Sequence, residues 1–565
     1  MRATEQPCTD LAGRSLVDAI QARAAHRGLT ALIFPTADGS AQRVTTSQLR
    51  ALMEAYAKWL LDEGLQPGDT IVIAVEHGVE LVGLFLGALR AGVVPCVVAP
   101  AARLEDAAYV RRLSNATERV RARAVITEGH RSGSGLRVQR TRTAAVPVQA
   151  TSGSSVAFIQ LSSGSTGRQR AIAVTHDKLS SLVQSRNQAF EIRPDDVVVG
   201  WLPLYHDLGL VGSLITPLLG GIPGVLIAPR DWLTSPALLM HAVSTYGGSV
   251  CNMPNFGFNY CARRIRNEEM DGVDLSRWRV LCNSAEPVRS DSFAAFHERF
   301  RHWGFQPSAF ASAYGLAENT LTATMTALGR APRVDRVNTG ALKQRHVAEP
   351  NGGEGSIEFV SCGRSLSNAT LEIRSGSGEI LGERHVGEIV LRSGSMADGY
   401  YLDAEGSRDT FRDGWLHTGD LGYLADGELY VCGRAKDRII AFGESIYPEE
   451  IERVAAAVPG IRPGRVVAFG TEDQELGTET VVVLAELRDG GGPGPAPRAD
   501  VADVERQVRR AIKAELGIGV GHAGFVPTGW IVKTTSGKVA RSENRAKWVR
   551  ELAARAPARR QTGVH

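Results

Sequence analysis

The strongest constraint in this chain is a strand–helix–strand unit near its N-terminus. The turn QPGD (66–69) opens into TIVIAVEH, a β-branched run typical of a buried strand. Residues 79–89 then carry a helical pattern, and GVVPCVVA supplies a second strand. Two apolar strands separated by one helix fit a parallel pair, which places the chain among α/β folds. The pattern recurs. VVVGWLPL is followed by a helical stretch and GVLIAP, and a helix near 236–246 precedes GGSVCNMP. Residues 278–283 form another short apolar strand. Upstream, 45–64 reads as a capped helix with Leu49, Leu52, Met53, Tyr56 and Leu60 on one face.

After about residue 350 the texture changes. GSIEFVSCGR, NATLEIRS, GEIVLRSG and GELYVCGR are short, turn-bounded and alternating, which predicts a β-rich subdomain. Residues 466–487 read as paired strands, and DGGGPGPAPRAD (489–500) as a surface loop. Val501, Val504, Val508, Ile512 and Leu516 share one helical face, with Asp500 as the expected N-cap. At 565 residues the chain is too long for one core, so two or more domains are expected.

Charge and composition exclude several classes. With 64 basic and 61 acidic residues, net charge is +3, which gives no reason to expect nucleic acid as partner. The seven cysteines are dispersed, without a CxxC pair, and read as reduced thiols of a cytoplasmic protein. The N-terminus MRATEQPCTD lacks an apolar h-region, and the most apolar stretch (81–100) is broken by Arg90, so neither a signal peptide nor a membrane span is expected.

Five short segments could carry chemistry. LSSGSTGRQRA holds Ser162, Ser163, Gly164, Ser165, Thr166 and Gly167, hydroxyls and glycines suited to cradling phosphate oxygens. It is no Walker loop, because no Lys follows Gly167 directly. WLPLYHDLGLVG places His206 and Asp207 at a strand end beside Gly209. SAYGLAENT offers Tyr314 for stacking on a flat base and Glu318 for a hard cation. In GWLHTGDLGYL through GRAKDRII, Asp420 suits ribose hydroxyls, with Arg434 assisting. KTTSGKVAR sets Lys538 after Gly537 in a turn. Taken singly, each has a bland reading: a solvent loop, a buried polar pair, a helix start, a turn, a surface lysine.

In this order and spacing, over roughly 15–545, the five resemble the adenylate-forming superfamily of acyl-CoA synthetases, luciferases and adenylation domains. The resemblance implies an N-terminal domain (1–434) of two α/β subdomains plus a barrel-like part. A small mobile α+β lid (435–565) would carry the catalytic lysine, with a hinge at Lys436. SSGSTG, WLPLYHDLGLVG, MPNFGFNYCARRI, DLSRWRVLCNSAEPV and YGLAE are most similar to fatty acyl-AMP ligases. So is the long segment at about 330–360, which resembles an insertion that in those ligases restrains the lid and disfavours coenzyme A. Ile440 stands where thioester-forming relatives carry a lysine.

The resemblance implies ATP and Mg²⁺ as cofactors and a carboxylic acid, most simply a fatty acid, as substrate. The acyl group would pass to the phosphopantetheine thiol of an acyl carrier protein. It further implies that residues 162–167 hold the β- and γ-phosphates, and that Glu318 binds Mg²⁺. Ser312, Ala313, Tyr314, Gly315, Ala285 and Glu286 would line adenine, and Asp420 and Arg434 would hold the ribose. His206 and Lys538 would serve the reacting carboxylate and α-phosphate. Asn252, Met253, Ser284 and Gly209 would line the acyl pocket.

Three departures stand out. Gln169, Arg170 and Ala171 replace the usual Pro-Lys-Gly; Cys251, Asn252 and Met253 replace a glycine-rich stretch; and Ser284 replaces a glycine. The last two favour a shorter or more polar acid, with an ordinary repacked tunnel as the alternative. An acyl-CoA synthetase, an amino-acid adenylation domain and a non-catalytic nucleotide binder remain rivals. Arg263, Arg264 and Arg266 are candidates to meet an acidic carrier protein.

Overall fold

The computed structural model describes residues 11, 13–26, 28–100, 107–128, 136–140, 155–162, 169–441, 444–473, 478–488, 501–516, 518–534 and 537–555. Its centre is a nine-stranded sheet. From one edge the order is Arg364–Ser365, Thr322–Met325, Phe310–Gly315, Val280–Asn283, Val250–Met253, Val198–Gly200, Gly224–Leu226, Thr30–Pro35 and Ala41–Thr45. The interior strands run parallel and the edges antiparallel. Interior strands are buried along their length, as a sheet covered on both faces requires.

The opening strand–helix–strand unit is part of a second sheet. Thr70–Ala74 pairs in parallel with both Val94–Val97 and Ala124–Glu128. The helix between the first two, Val79–Ala91, is buried on nearly every side and ends at Gly92 with φ 71°. Helix Thr46–Asp62 begins with a reciprocal Thr45–Gln48 capping box.

The alternating segments after 350 form a five-stranded antiparallel sheet of Ala369–Arg374, Gly387–Ser393, Phe411–Arg412, Trp415–Ala425 and Glu428–Arg434. Residues 330–360 form a hairpin, Val334–Asn338 against Ser356–Val360, with helix Thr339–Arg345 in its connection.

Beyond Ile439 the chain builds cores of its own. One joins Ile439, Ile451, Val466, Val481, Val504, Val508 and Ile512, and another joins Val467, Val482, Trp530 and Ile531. Its strands Ile461–Asp473 and Thr478–Leu487 pair antiparallel, and His522–Val526 adds in parallel. In helix Val501–Leu516 the predicted stripe is buried except Val501, 52% exposed in the first turn. The 489–500 loop and Asp500 lie outside the described residues. Among the described residues no helix is long and apolar enough to cross a membrane.

Candidate active site at the strand ends

In an open parallel sheet, ligands bind in the crevice beyond the carboxyl ends of the strands. Two of the five segments, those of His206 and Glu318, follow strands of the large sheet at that end. The chain leaves Val198–Gly200 toward His206, Val250–Met253 toward Pro254, Val280–Asn283 toward Glu286, and Phe310–Gly315 toward Glu318. Adjacent parallel strands therefore bring residues far apart in sequence to one rim.

Two expectations about local structure are corrected. His206 and Asp207 do not end a strand; the strand stops at Gly200, and His206 caps a helical run that begins at Asp207. That run contains a π-helical stretch, Leu210–Ile215, a geometry often found at functional sites. Likewise, SAYG is a strand rather than a helix start, and only Ala317–Asn319 makes a single 3₁₀ turn. Both strand-end segments use glycine where backbone meets backbone. A Cβ on Gly209 would overlap the Pro203 carbonyl, and one on Gly315 the Leu321 carbonyl.

The phosphate-loop candidate is closed at its neck. Strands Val156–Leu161 and Ala171–Thr175 pair antiparallel; Ser162 N–H donates to the Arg170 carbonyl at 2.8 Å, and Arg170 N–H to Ser162 Oγ at 3.0 Å. Ser163, Gly164, Ser165, Thr166 and Gly167 lie outside the described residues. Gln160 Nε2 donates to the Tyr205 carbonyl at 3.0 Å, joining this hairpin to the His206 segment.

Asp420 and Arg434 are cross-strand neighbours, and Arg434 Nε donates to Asp420 Oδ1 at 3.0 Å. Tyr314 donates its hydroxyl to Asp420 Oδ2 at 2.8 Å. Burial, and then the Asp420 charge, hold the Tyr314 phenol well above its usual range, so it remains a donor. Each carboxylate oxygen keeps a lone pair for a further donor, which fits a diol. Glu318 Oε1 accepts from Tyr400 Oη at 2.8 Å. Tyr400 is pushed up to about 12, chiefly by burial and then by Glu318.

Lys538 comes from the far end of the chain. Its turn is fixed by Thr534 N–H to the Lys538 carbonyl (2.7 Å), Gly537 N–H to the Thr534 carbonyl (2.9 Å), and φ 84° at Gly537. The ammonium lies within electrostatic range of Arg434, Asp207, Glu286 and Asp420. Its residue surface stays reachable by water. Desolvation, then Arg434, lower its pKa; Asp207, Glu286 and Asp420 oppose that shift. Glu286 is raised by burial, against the pull of Phe256 N–H, Lys538 and Lys533.

The family model for AMP-binding enzymes matches residues 20–401. The chain belongs to the AMP-binding enzyme family. A Caulobacter vibrioides protein with a provisional acyl-CoA synthetase name is 30% identical over 89% of this chain and 90% of its own length. The medium-chain-fatty-acid–[acyl-carrier-protein] ligase JamA of Moorena producens is 33% identical over 70% of this chain and 68% of its own. A solved structure from work on the fatty acyl-adenylate ligases of E. coli and L. pneumophila superimposes with a TM-score of 0.86 at 29% identity. It covers 97% of this chain and 100% of that one.

In this AMP-binding enzyme the remaining predicted residues take the following positions. Ala285 holds φ 69°, a left-handed conformation uncommon for a residue with a Cβ, at the exposed turn after Asn283. Ser312 and Ala313 are buried within their strand. Met253 packs on Gly257 and Trp201, and Asn252 and Ser284 are also buried. Lys436 sits in the short 3₁₀ turn Ala435–Asp437, and Asp437 accepts from Arg541 Nη1 at 2.9 Å. Ile440 lies on strand Ile439–Ala441, its side chain outside the described set. Arg263 and Arg264 end helix Asn255–Arg264, while Arg266 pairs with Glu269.

Among the described residues no cluster of three or more His, Cys, Asp or Glu forms a metal cage. Glu318 as a lone carboxylate still fits Mg²⁺, which commonly takes one or two protein carboxylates and completes its shell with phosphates and water.

Sequence reading missed several neighbours. Arg170, expected only as a lysine substitute, stacks 4.4 Å from the Tyr400 ring centre and donates to Thr410, so it buttresses the tyrosine that holds Glu318. Lys533, quoted in KTTSGK without a role, also approaches Glu286. Arg289 and Lys343 reach across to the C-terminal part: Arg289 pairs with Glu450 at 2.6 Å, and Lys343 donates to the Leu516 carbonyl at 2.7 Å. No local pattern marks these partners, because each contact spans more than 150 positions.

Proposed function

We propose that this enzyme condenses a carboxylic acid of the fatty-acid class with ATP to give an acyl-adenylate and pyrophosphate. It then passes the acyl group to the phosphopantetheine thiol of an acyl carrier protein. The observation that carries the reading is the approach of Lys538, from the C-terminal part, to Asp207, Glu286, Asp420 and Arg434.

Two anions must meet in the first step, so neutralising charge is the main demand. The acid is already ionised near neutral pH, and no general base is needed. Lys538 would bridge the attacking carboxylate and the α-phosphate, stabilising charge as the new P–O bond forms and pyrophosphate departs. His206, at the start of its helix, would orient the same oxygens. Asp420 would accept the ribose hydroxyls while Arg434 and Tyr314 fix its carboxylate. Tyr314, Ala285, Glu286, Ser312, Ala313 and Gly315 would border adenine. The 162–167 loop would hold the departing phosphates. Mg²⁺, held by Glu318, would supply charge neutralisation on those phosphates. Asn252, Met253, Ser284 and Gly209 would bound the acyl pocket.

For the second step, the part from residue 435 onward would turn about Lys436, withdraw Lys538 and admit the thiol. Carrier protein rather than coenzyme A is supported by the likeness to the Moorena ligase and by Lys343. That residue lies in the 330–360 insertion and grips the end of helix Val501–Leu516. A cytoplasmic setting follows from the need for ATP and a carrier protein.

The test is Lys538→Ala in ATP–pyrophosphate exchange over an acid panel, with mass spectrometry of holo-carrier protein and coenzyme A as competing acceptors. A loss of roughly 10²–10³-fold is expected, the scale for removing one transition-state charge donor. Unchanged exchange refutes the assignment of Lys538, and acyl-CoA as the dominant product replaces the carrier reading with the synthetase one.

A further inference from the structure

Arg186, on helix His176–Ala189, is 2% exposed. It has no carboxylate within ion-pair distance among the described residues. Its Nη1 donates to Thr322 Oγ1 and its Nη2 to Asn252 Oδ1 at 3.3 Å. One face stacks on Phe190, 4.7 Å from the ring centre. The third donor, Nε, is buried and meets no acceptor. Burial lowers its pKa to about 10, so the guanidinium still carries its charge at neutral pH. A buried charge left without a counter-ion is costly, and such groups are normally paired.

The neighbouring donors are in the same condition. Asn252 Nδ2 is buried with no acceptor, and so is Ser213 Oγ. Ser213 packs on Gly200, whose strand lies beside that of Asn252. Asn252 Nδ2 is 3.6 Å from where a Cβ of Gly212 would stand, beside Leu208 and Leu321. Gly212 and Ser213 belong to the π-helical stretch of the run that starts at His206. Gly212, which Asn252 Nδ2 approaches, and Ser213 stand six and seven residues along that run from His206. Thr322, which accepts from Arg186, follows Thr320, a β-branched residue held at φ 63°. Backbone strain of that kind concentrates at ligand sites.

A guanidinium, an amide and a hydroxyl, all short of acceptors, define a receptor for oxygen with negative charge. We propose that Arg186, Asn252 and Ser213 form a subsite for a second carboxylate at the far end of the acid, so that the preferred substrate class is the α,ω-dicarboxylic acids. This inference rests on the adenylation reading and narrows it. One carboxylate reacts near His206 and Lys538, and the other docks on Arg186 unchanged. Arg186 acts here as a specificity-determining residue.

The experiment measures ATP–pyrophosphate exchange with straight-chain α,ω-diacids and with monoacids of matched length, on the full chain. The expected result is a kcat/KM preference for a diacid of at least about 30-fold, the weak end of what unpairing a buried charged group costs. Arg186→Met should remove the preference through KM, leaving kcat for a monoacid near that of the wild type. Ser213→Ala, which keeps the guanidinium, should weaken the preference and serves if the Arg186 variant misfolds. Exchange with monoacids but no diacid preference overturns the subsite and leaves adenylation standing. A diacid preference unaltered in both variants also overturns it. Exchange with no acid overturns the adenylation reading and the subsite together.

Discussion

The contact between Arg289 and Glu450 makes the closed arrangement testable on its own. Arg289 follows the Glu286 segment on the rim of the large sheet, and Glu450 belongs to helix Pro448–Ala457 of the C-terminal part. The glutamate side chain is 9% exposed; it takes Arg289 at 2.6 Å and Arg453 at 3.0 Å. Burial alone would raise its pKa, but Arg289 and then Arg453 outweigh it, so the carboxylate stays ionised. Arg289→Met keeps the length of the side chain and removes the charge. Breaking a wholly buried pair costs about 3–5 kcal/mol, and an exposed one at most about 1. Because Glu450 retains Arg453, about 2 kcal/mol against the closed arrangement is expected, or roughly 30-fold in its population. Adenylation, measured by pyrophosphate exchange, should fall by up to that factor. Transfer to holo-carrier protein from supplied acyl-adenylate should hold steady or rise, since the proposed second step withdraws Lys538. Arg453→Met is the control, because it unpairs the same carboxylate without breaking a contact between the two parts. An equal loss in both half-reactions, or no loss in either, would refute the argument that this pair holds the adenylating pose.

Three further outcomes follow from single residues. Lys538 has a pKa below the ordinary lysine value of 10.5, and in the proposed role only its ammonium form serves. Pyrophosphate exchange should therefore fall as pH rises through that lowered value, and Lys538→Arg should move the alkaline limb upward; an unmoved limb argues against the role. His77 as a residue is half-buried, yet both ring nitrogens are sealed from water without partners, and its pKa falls to about 4. The unfolded chain binds this proton more readily. Stability is therefore lost as pH drops below about 6.5 and the loss levels off near the folded value, reaching about 3 kcal/mol. Denaturant melts of His77→Gln at pH 7 and pH 5 should show a weaker acid loss than wild type. Finally, Gly209→Ala drives a methyl into the Pro203 carbonyl. A cost of about 1–3 kcal/mol is expected, with reduced adenylation through displacement of His206; an unchanged melting temperature would contradict the packing.

Much of this enzyme is written locally. The β-branched runs and helical spacings specify a parallel α/β sheet because burial on both faces demands apolar strands. The Thr45 cap and the Val504–Leu516 stripe can be read from a few adjacent residues. Asp420 and Arg434 could be named together because a tight hairpin makes them cross-strand neighbours. The five motifs identify the family because phosphate, ribose and base each require particular residue types. Local pattern fails where distant backbone supplies the reason. His206 was expected at a strand end, but the chain turns into a helix first. Sequence left open whether Arg170 takes over the usual lysine's work, and it could not show that Arg170 rests on Tyr400, 230 positions away in sequence.

Composition and spacing therefore determined what kind of fold forms and which groups are candidates to bear chemistry. Only the tertiary structure decided which of those groups meet: Lys538 with Glu286 and Asp207, Lys343 with Leu516, and Arg186 with Asn252. The physical reason is that helix and strand patterns report burial over a few residues. Whether a buried charge finds a counter-ion depends on side chains that sheet order alone brings together, and among the described residues Arg186 meets hydrogen-bond acceptors but no carboxylate.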